Sequence, residues 1–408
     1  MQVSLSTSLL TSGSTSDSAS EFTTTSSYLV AVEQAMTRSP AADGQPARVV
    51  HLTNPNGMTV SLMDIGATWL SCTLPVNGEC REVLLRSPDM AAHLQQSAYF
   101  GAIVGRYANR IGGSQFRLNG VLFRISANEG GNSLHGGQFG FDKRRWDITG
   151  LSAQAVTFRL YSENGDQGYP GNLEVAVTYR LTDDNAVEIS YQAEGDQDCP
   201  VNLTNHAYFN LAGAGSGAKS LDHELQLHAS YYLPTRPDLI PTGAHLAVQG
   251  TSFDFTQRKT IGRDFLSEPD QVTAGGYDHA WLFDAARCDG QAVVATLISP
   301  DQRVTMQMAT TKPAVQFYAG NFLAGTPGAL PQNSAVVHDA AEEDFEDDIE
   351  TDKEKMAVQH YEYQQHDGLA LETQYLPDGP NHPEWGSCSG ILLAGEPYQH
   401  RTVYRFIY

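Results

Sequence analysis

The feature that most constrains the fold of this chain is a period-two alternation of apolar and polar residues. Residues 115–125 alternate on both sides of Asn119 and Gly120, a dipeptide that favours the left-handed backbone of a two-residue hairpin turn. The same strand-like pattern occurs at 155–161, 173–180, 187–191, 225–228, 293–298, 304–308, 315–318 and 403–408. Many short strands separated by turn signals predict an all-β fold, an antiparallel sandwich or barrel.

Two segments depart from this pattern. Residues 1–44 begin with a Ser- and Thr-rich stretch that has neither the apolar run of a signal peptide nor the arginines of a transit peptide, so a disordered tail is expected. Residues 339–355 carry ten acidic residues against two lysines, and such a density of like charge opposes folding into a core. We therefore predict a single domain over residues 45–408, with a disordered acidic insertion at about 333–362.

Charge and cysteine content argue against several classes of function. The formal net charge of −22 argues against binding to nucleic acid or to an anionic membrane surface, but not against an uncharged sugar. Five scattered cysteines without a C-x-x-C pair favour reduced thiols in the cytoplasm. No stretch approaches the ~20 apolar residues of a membrane span. The histidine spacing includes no H-E-x-x-H, so no metal site is expected.

Polar residues that could carry chemistry cluster in short segments rich in Gly and Asn. These segments are residues 105–111, 132–137, 202–210, 275–279, 315–321 and 369–373. Each candidate also has an ordinary structural explanation. A lone His is often a satisfied core or surface residue, Glu372 could pair with an Arg, and Asp278 after two glycines could be a turn residue.

Together, and in this order, the segments resemble the aldose 1-epimerase (galactose mutarotase) family from about residue 45 to the C-terminus, with the acidic insertion as the main departure. The most specific strings are GRYANRI at 105–111, NSLHGG at 132–137, NHAYFNL at 205–211, YDH at 277–279 and LETQY at 371–375. The resemblance implies a large antiparallel β-sandwich of the galactose mutarotase-like supersandwich type. It also implies interconversion of the α and β anomers of a free aldohexose, glucose or galactose, without a cofactor.

The resemblance implies roles for individual side chains as well. His206 would donate a proton to the ring oxygen, and Glu372 would remove the proton of the anomeric hydroxyl. The side chains that would hold the sugar are those of Asn109, Arg110, His135, Tyr208, Asp278 and Gln316. Aromatic rings such as Tyr208, Phe209 or Trp281 could cover its apolar face, although most of these rings are expected to lie in the core. Glu396 is a second candidate base, but it lies outside the base motif and at a turn, so Glu372 is preferred.

Three other functions deserve comparison. A hexose-6-phosphate mutarotase would need an Arg or Lys cluster beside the pocket, and the acidic balance disfavours it. A non-catalytic sugar-binding or sensor module would not need both His206 and Glu372. A glycoside hydrolase would need two carboxylates around the scissile bond, whereas the motifs supply one carboxylate and one His. The resemblance therefore implies a small aldose as the partner. We also expect a monomer or homodimer and a cytoplasmic location.

Overall fold

The structure, a computed structural model, describes residues 18–329 and 361–408. Its α-helices are α1 (Ser18–Thr37), α2 (Met90–Gln95) and α3 (Pro269–Ala274). The strands before residue 210 are β1 (Val49–Thr53), β2 (Thr59–Met63), β3 (Thr68–Val76), β4 (Glu79–Glu82), β5 (Ile103–Val104), β6 (Arg110–Ile111), β7 (Gln115–Leu118), β8 (Val121–Arg124), β9 (Ser133–Leu134), β10 (Asp147–Leu151), β11 (Ala155–Ser162), β12 (Leu173–Leu181), β13 (Ala186–Gly195), β14 (Cys199–Pro200), β15 (Thr204–Asn205) and β16 (Tyr208–Phe209).

The remaining strands are β17 (Glu224–Leu227), β18 (Ala229–Leu233), β19 (Leu246–Ala247), β20 (Lys259–Thr260), β21 (Asp278–Phe283), β22 (Val293–Ile298), β23 (Thr305–Thr310), β24 (Ala314–Tyr318), β25 (Pro327–Gly328), β26 (Tyr361–Glu362), β27 (Leu369–Gln374), β28 (Ile391–Leu392) and β29 (Tyr398–Ile407). Short 3₁₀ helices lie at Gly112–Ser114, Phe141–Lys143, Asp166–Gly168, Ser220–Asp222, Ile261–Asp264, Ala285–Arg287, Gly379–Asn381 and Pro383–Ser389.

Three sheets make up most of the molecule. The four-stranded sheet has the order β1-β2-β3-β4, and the six-stranded sheet has the order β16-β27-β24-β21-β18-β19. The nine-stranded sheet has the order β10-β11-β12-β13-β29-β23-β22-β17-β20. Neighbouring strands in all three sheets are antiparallel. The predicted all-β, antiparallel fold is confirmed.

The hydrophobic core lies between these sheets. Trp69 of β3 packs against Phe209 of β16 and Tyr404 of β29, with ring centroids 5.9 and 5.6 Å apart. The Tyr404 hydroxyl also donates a hydrogen bond of 3.2 Å to the carbonyl oxygen of Leu371 on β27. Because these residues come from all three sheets, one shared core joins the sheets face to face as a sandwich.

The hairpin at Asn119 and Gly120 forms as predicted. Leu118 at the end of β7 lies opposite Val121 at the start of β8. The two turn residues between them have positive φ angles of 51° and 79°. This backbone is that of a type I′ turn, whose twist matches that of the flanking strands.

The prediction of a disordered tail over residues 1–44 is wrong for residues 18–44. Helix α1 occupies Ser18–Thr37, and its Val32 and Met36 side chains are fully buried in a cluster with Met63 and Leu70 of the four-stranded sheet. The Ser- and Thr-rich composition concealed the helix, because its stability comes from tertiary packing rather than from intrinsic propensity. Residues 1–17 lie outside the described residues.

Most of the predicted acidic insertion, residues 333–360, also lies outside the described residues. Its last two positions form strand β26, where Tyr361 pairs with Gly328 and Glu362 pairs with Pro327. The predicted C-terminal boundary of the insertion is therefore two residues too late. Because β25 and β26 pair, the chain leaves and re-enters the described fold at adjacent points. Among the described helices, none combines the length and the hydropathy needed to cross a membrane.

Candidate active site

A cavity of about 310 Å³ lies over one face of the six-stranded sheet. Seven of the eight predicted site residues line it, and the eighth, Gln316, donates a 2.7 Å hydrogen bond from Nε2 to Oδ1 of Asp278 in its wall. The lining residues are Ser97, Ala98, Tyr99, Asn109, Arg110, Asn128, Glu129, Leu134, His135, His206, Tyr208, Asp278, Tyr318, Phe322, Leu323, Thr326 and Glu372. The fold thus gathers the motifs into one site.

Strand register places the polar residues on one face of the sheet. Glu372 on β27 lies opposite Gln316 on β24, which lies opposite Ala280 on β21. Asp278 precedes Ala280 by two residues and Tyr208 pairs two positions before Glu372, so both side chains share that face. The alternate residues, such as Leu371, Phe317 and Trp281, point into the core.

His206 and Glu372 are the central pair of the cavity. Their side chains are 6% and 3% exposed, and Nε2 of His206 lies 3.5 Å from Oε1 of Glu372. Oε2 of Glu372 and Nδ1 of His206 are buried without a hydrogen-bond partner among the described residues. Since buried polar atoms are nearly always hydrogen-bonded, such atoms beside a cavity indicate a site that a ligand completes. Among the residues that the structure describes, the recorded ion-pair contact of Glu372 is with His206 and none is with an Arg, which was the alternative explanation for this carboxylate.

Burial shifts the acidity of this pair in opposite directions. Loss of hydration lowers the pKa of His206 to about 4. Burial raises the pKa of Glu372 well above its usual value, helped by the charge of Asp278 and opposed by that of Arg110. Both shifts favour the uncharged side chains. The pair therefore holds a single proton over a broad pH range, and transfer of that proton from Glu372 to His206 creates an ion pair.

The protonation of His135 is fixed by its neighbour in the backbone. The N–H of Asn109 donates a 3.1 Å hydrogen bond to Nδ1 of His135, so the proton of the neutral ring lies on Nε2. Burial keeps the pKa of His135 well below its ordinary value. The loop can pass this close because Gly136 follows, and a Cβ there would lie 1.9 Å from the carbonyl oxygen of Gly105. His135 is therefore suited to donate a hydrogen bond rather than a proton.

Arg110 is held between two carboxylates. Its Nε and Nη2 atoms each donate a 2.6 Å hydrogen bond to Glu129, while Nη1 lies 3.7 Å from Oδ2 of Asp278. This two-pronged pairing fixes the plane of the guanidinium group. Sequence analysis missed Glu129, because it lies outside the family-like strings and its only signal is its position three residues before one of them.

Aromatic residues complete the wall of the cavity, and only some of them were expected from the sequence. Phe209 and Trp281 are fully buried in the core, as expected for most of the three aromatic residues considered, whereas Tyr208 lines the cavity. The ring of Tyr99 lies 4.6 Å from that of His135. Phe322 stands at the rim with 67% of its surface exposed. The sequence around an aromatic residue does not show whether its ring will line the cavity or pack in the core.

Two charged residues of the family-like strings lie elsewhere. Arg106 is buried and donates hydrogen bonds to the carbonyl oxygens of Ser162, Glu163 and Pro170, so it supports the backbone. Glu396, the second candidate base, is exposed at the turn before β29 and does not line the cavity.

Charge and ligand chemistry limit what the cavity can bind. Arg110 is the one Lys or Arg among its described lining residues, and Glu129 already pairs with it, so no cation cluster for a phosphate is present in the described part. His135, His206 and Glu372 each bring one potential metal ligand atom within 4.8 Å of the other two. The neutral ring of His135 carries its proton on Nε2, because Nδ1 accepts the N–H of Asn109, so this residue offers no free lone pair to a metal.

A second groove, of about 350 Å³, lies on the outer face of the nine-stranded sheet. It is lined by residues of β10 to β13 and β29, among them Arg159, Glu174 and Gln192. It holds none of the predicted site residues, and its polar side chains point into solvent from a sheet surface. The chemistry therefore belongs to the smaller, more buried cavity.

Comparison with known proteins identifies the same family that the motifs suggested. The family model described as aldose 1-epimerase matches residues 48–405. The aldose 1-epimerase of Escherichia coli (strain K12) is 44% identical over 370 residues, covering 90% of this chain and 97% of that protein. The galactose mutarotase of Bos taurus is 37% identical over 329 residues, covering 81% and 85%. The solved structure of a C. elegans aldose epimerase homologue has a TM-score of 0.75 at 25% identity, covering 89% and 99%.

Proposed function

This chain belongs to the aldose 1-epimerase family, and we infer that it is an isomerase that interconverts the α and β anomers of free aldohexoses such as glucose and galactose. The observation that carries the residue assignment is the 3.5 Å approach of His206 Nε2 to Glu372 Oε1 inside one buried cavity. An imidazole and a carboxylate this close can both reach the O5–C1–O1 unit of a single pyranose, because hydrogen-bond contact needs about 2.6–3.2 Å.

Ring opening begins with the pair as an ion pair. Protonated His206 gives its proton to ring oxygen O5 while the C1–O5 bond breaks, and the Glu372 carboxylate takes the proton of the O1 hydroxyl as C1=O1 forms. Afterwards the pair is uncharged, with the proton on Glu372. Rotation about C1–C2 and the reverse proton transfers close the ring on the other face.

The charges around the pair favour this cycle. Burial favours the uncharged pair, which accompanies the open-chain sugar. Arg110, which lowers the pKa of Glu372, favours the ionised carboxylate that begins the cycle. Of the remaining proposed contacts, Asn109, His135 and Asp278 offer donors and acceptors to sugar hydroxyls, and Gln316 donates a hydrogen bond to Asp278. Tyr208 offers a ring face to the apolar side of the sugar.

Polarimetry with freshly dissolved α-D-glucose or α-D-galactose tests the proposal. We expect the wild-type protein to accelerate the decay of optical rotation. We expect Glu372→Gln and His206→Asn each to lose roughly 10²–10⁴-fold in rate, the usual contribution of one general acid or base. Matched controls are Asp64→Asn and His93→Asn, which change a buried carboxylate and a buried imidazole outside the cavity.

Three results would contradict parts of the proposal. If both cavity variants kept the wild-type rate, the assignment of His206 and Glu372 would be wrong. If the controls lost as much activity as the cavity variants, the losses would reflect damaged folding. If the wild-type protein bound galactose but gave only the spontaneous rate, the sensor alternative would replace the enzyme.

We also propose a cytoplasmic location and a monomer or homodimer with the aldose as its only partner. Support for the location comes from Cys72, Cys199, Cys288 and Cys388, which are free thiols, as is usual in a reducing compartment. Light scattering on the full chain measures the assembly state, and a mass above that of a dimer would contradict it.

A further inference from the structure

We propose that Tyr99, in the turn after α2, is a positioning residue of the reaction, and that the π face of its ring stabilises the protonated form of His206. The ring of Tyr208 on β16 assists it. The interaction between these rings stands on geometry, whereas its effect on the rate rests on the proposed function.

The imidazole of His206 lies beside two tyrosine rings. Its centroid is 5.7 Å from that of Tyr99 and 5.0 Å from that of Tyr208, and each tyrosine ring is inclined by 27° to the imidazole. Both contacts are therefore stacked rather than edge-on. A cation within about 6 Å of an aromatic centroid is attracted by the negative π face, and an imidazolium spreads its charge over the ring. Both tyrosines should therefore favour protonated His206 over the neutral form.

The backbone holds Tyr99 against His206. The N–H of Gly101 donates a 2.9 Å hydrogen bond to the carbonyl oxygen of His206, and the N–H of His206 donates one of 2.9 Å to the carbonyl oxygen of Ala102. Tyr99 has a positive φ of 58°, a conformation that residues other than glycine rarely adopt and that persists where the surrounding structure requires it. The turn that carries the ring is thus bonded directly to the residue that the ring contacts.

Two other titratable side chains face His206. Oε1 of Glu372, 3.5 Å from Nε2, is the partner in the ion pair, and the ring of His135 lies edge-on at 5.1 Å. Burial keeps the pKa of His135 well below its ordinary value, so this ring is neutral near pH 7 and adds no charge. Loss of hydration lowers the pKa of His206 to about 4. A group that stabilises the imidazolium therefore raises the population of the reactive ion pair.

The hydroxyl of Tyr99 is not the group that acts. Burial, assisted by the charges of Asp142 and Glu129, raises the pKa of Tyr99. The hydroxyl therefore stays protonated over the pH range in which the pair reacts. Removing it should leave the reaction intact, whereas weakening the π face of the ring should not.

Fluorinated phenylalanines at position 99 test the π face, because each ring fluorine withdraws electron density from that face and changes the shape of the ring little. Tyr99→Phe should keep kcat close to the wild-type value. Phenylalanines with one, two and three ring fluorines at this position should lower kcat stepwise, by about two- to thirtyfold over the series, with little change in KM. The acid limb of the pH profile should move to lower pH by about 0.4–1.5 pH units.

NMR titration of His206 in the sugar-free protein measures its pKa without reference to catalysis, and this pKa should fall through the same series. The matched control places the same fluorinated residues at Tyr161, which is 55% exposed on β11 and does not line the cavity. That series should change neither kcat nor the pKa of His206. Thermal unfolding of each variant checks folding.

The outcomes separate the ring contact from the proposed function. Equal rates and equal His206 pKa values across the fluorinated series would overturn the proposal, because the shape of the ring alone would then explain its presence. A rate loss in Tyr99→Phe as large as that in Tyr99→Leu would assign the role to the hydroxyl and would overturn the proposal as well. A stepwise fall in the pKa of His206 in a protein without mutarotase activity would keep the ring contact and reject the proposed function. Mutarotase activity that stays constant while this pKa falls would reject the effect on the rate.

Discussion

His206 and Glu372 share one proton, and the pH dependence of the reaction follows from the way burial shifts each pKa. As pH falls through about 4, His206 gains a proton while Glu372 still holds its own, so no base remains. As pH rises through the raised pKa of Glu372, the pair loses its only proton, so no acid remains. We expect kcat/KM, corrected for the spontaneous rate, to be flat between these limits and to fall on both sides.

The acid limb is the sharper test. Since the limits belong to the pair, the measured values are macroscopic, but a limb near ~6.5, the ordinary value for His, would contradict the effect of burial on His206. Circular dichroism at each pH separates loss of activity from unfolding.

Glu129 gives a second prediction for a single residue. Glu129→Gln removes the paired contact that fixes the guanidinium plane of Arg110. The freed Arg110 can turn towards Asp278 and Glu372, so we expect kcat/KM to fall by about tenfold, the usual scale for losing a charge-assisted contact of 1–2 kcal/mol. The limb of the pH profile that reports Glu372 should move to lower pH, because an unpaired cation stabilises the carboxylate.

A matched variant separates positioning from stability. Glu163→Gln changes a glutamate on the surface that does not line the cavity, and it should leave the profile unchanged. If Glu129→Gln lowered only the thermal stability and moved neither the rate nor the limb, its role would be structural.

At the scale of single residues, the sequence predicted the site residues that lie within the family-like strings. His206 and Glu372 were found because a family-like string surrounds each of them. Glu129 and Tyr99 were missed because their importance depends on contacts across the cavity.

At the scale of secondary-structure elements, helix α1 makes its own prediction. Met36 is fully buried against the four-stranded sheet, whereas Val30 on the same helix is 48% exposed. Met36→Ala should lower the free energy of unfolding by about 2–5 kcal/mol, because it leaves a cavity in that cluster. Val30→Ala should change it by less than about 0.5 kcal/mol. Urea denaturation measures both, and equal effects would show that α1 does not pack as described.

Strands were easier to predict than their order. The alternation in residues 173–180 and 187–191 corresponds to β12 and β13, which pair with each other along the nine-stranded sheet. The neighbour of β13 on its other side is β29, at the end of the chain. Period two fixes which side chains share a face, but it carries no information about which distant strand completes the sheet. The prediction for helix α1 failed for the opposite reason. The helical pattern of this segment is too weak to be recognised from the sequence alone, because packing against the sheet stabilises the helix.

At the scale of the whole molecule, we predict that the acidic segment can be removed without loss of the catalytic fold. The chain leaves at Gly328 and re-enters opposite it at Tyr361, so replacing residues 330–360 with a Gly-Asn-Gly linker closes a short hairpin. The deletion removes ten acidic residues and two lysines, so the formal net charge changes from −22 to −14. An uncharged aldose experiences no long-range steering by charge. We therefore expect kcat/KM for mutarotation to stay the same within about twofold and to be insensitive to salt in both proteins.

We expect the deletion to stabilise the protein, although removing residues usually destabilises a fold. Shortening a loop of about 32 residues to about 4 lowers the entropy cost of closing it, so the free energy of unfolding should rise by up to about 2 kcal/mol. A full-length control in which the acidic residues of 339–355 are changed to Asn and Gln keeps the length and removes the charge. If the deletion lowered kcat/KM more than tenfold while this control did not, the segment would contribute to the cavity through its chain rather than its charge. If the deletion and the full-length control both lost activity, the negative charge of the segment would influence the cavity.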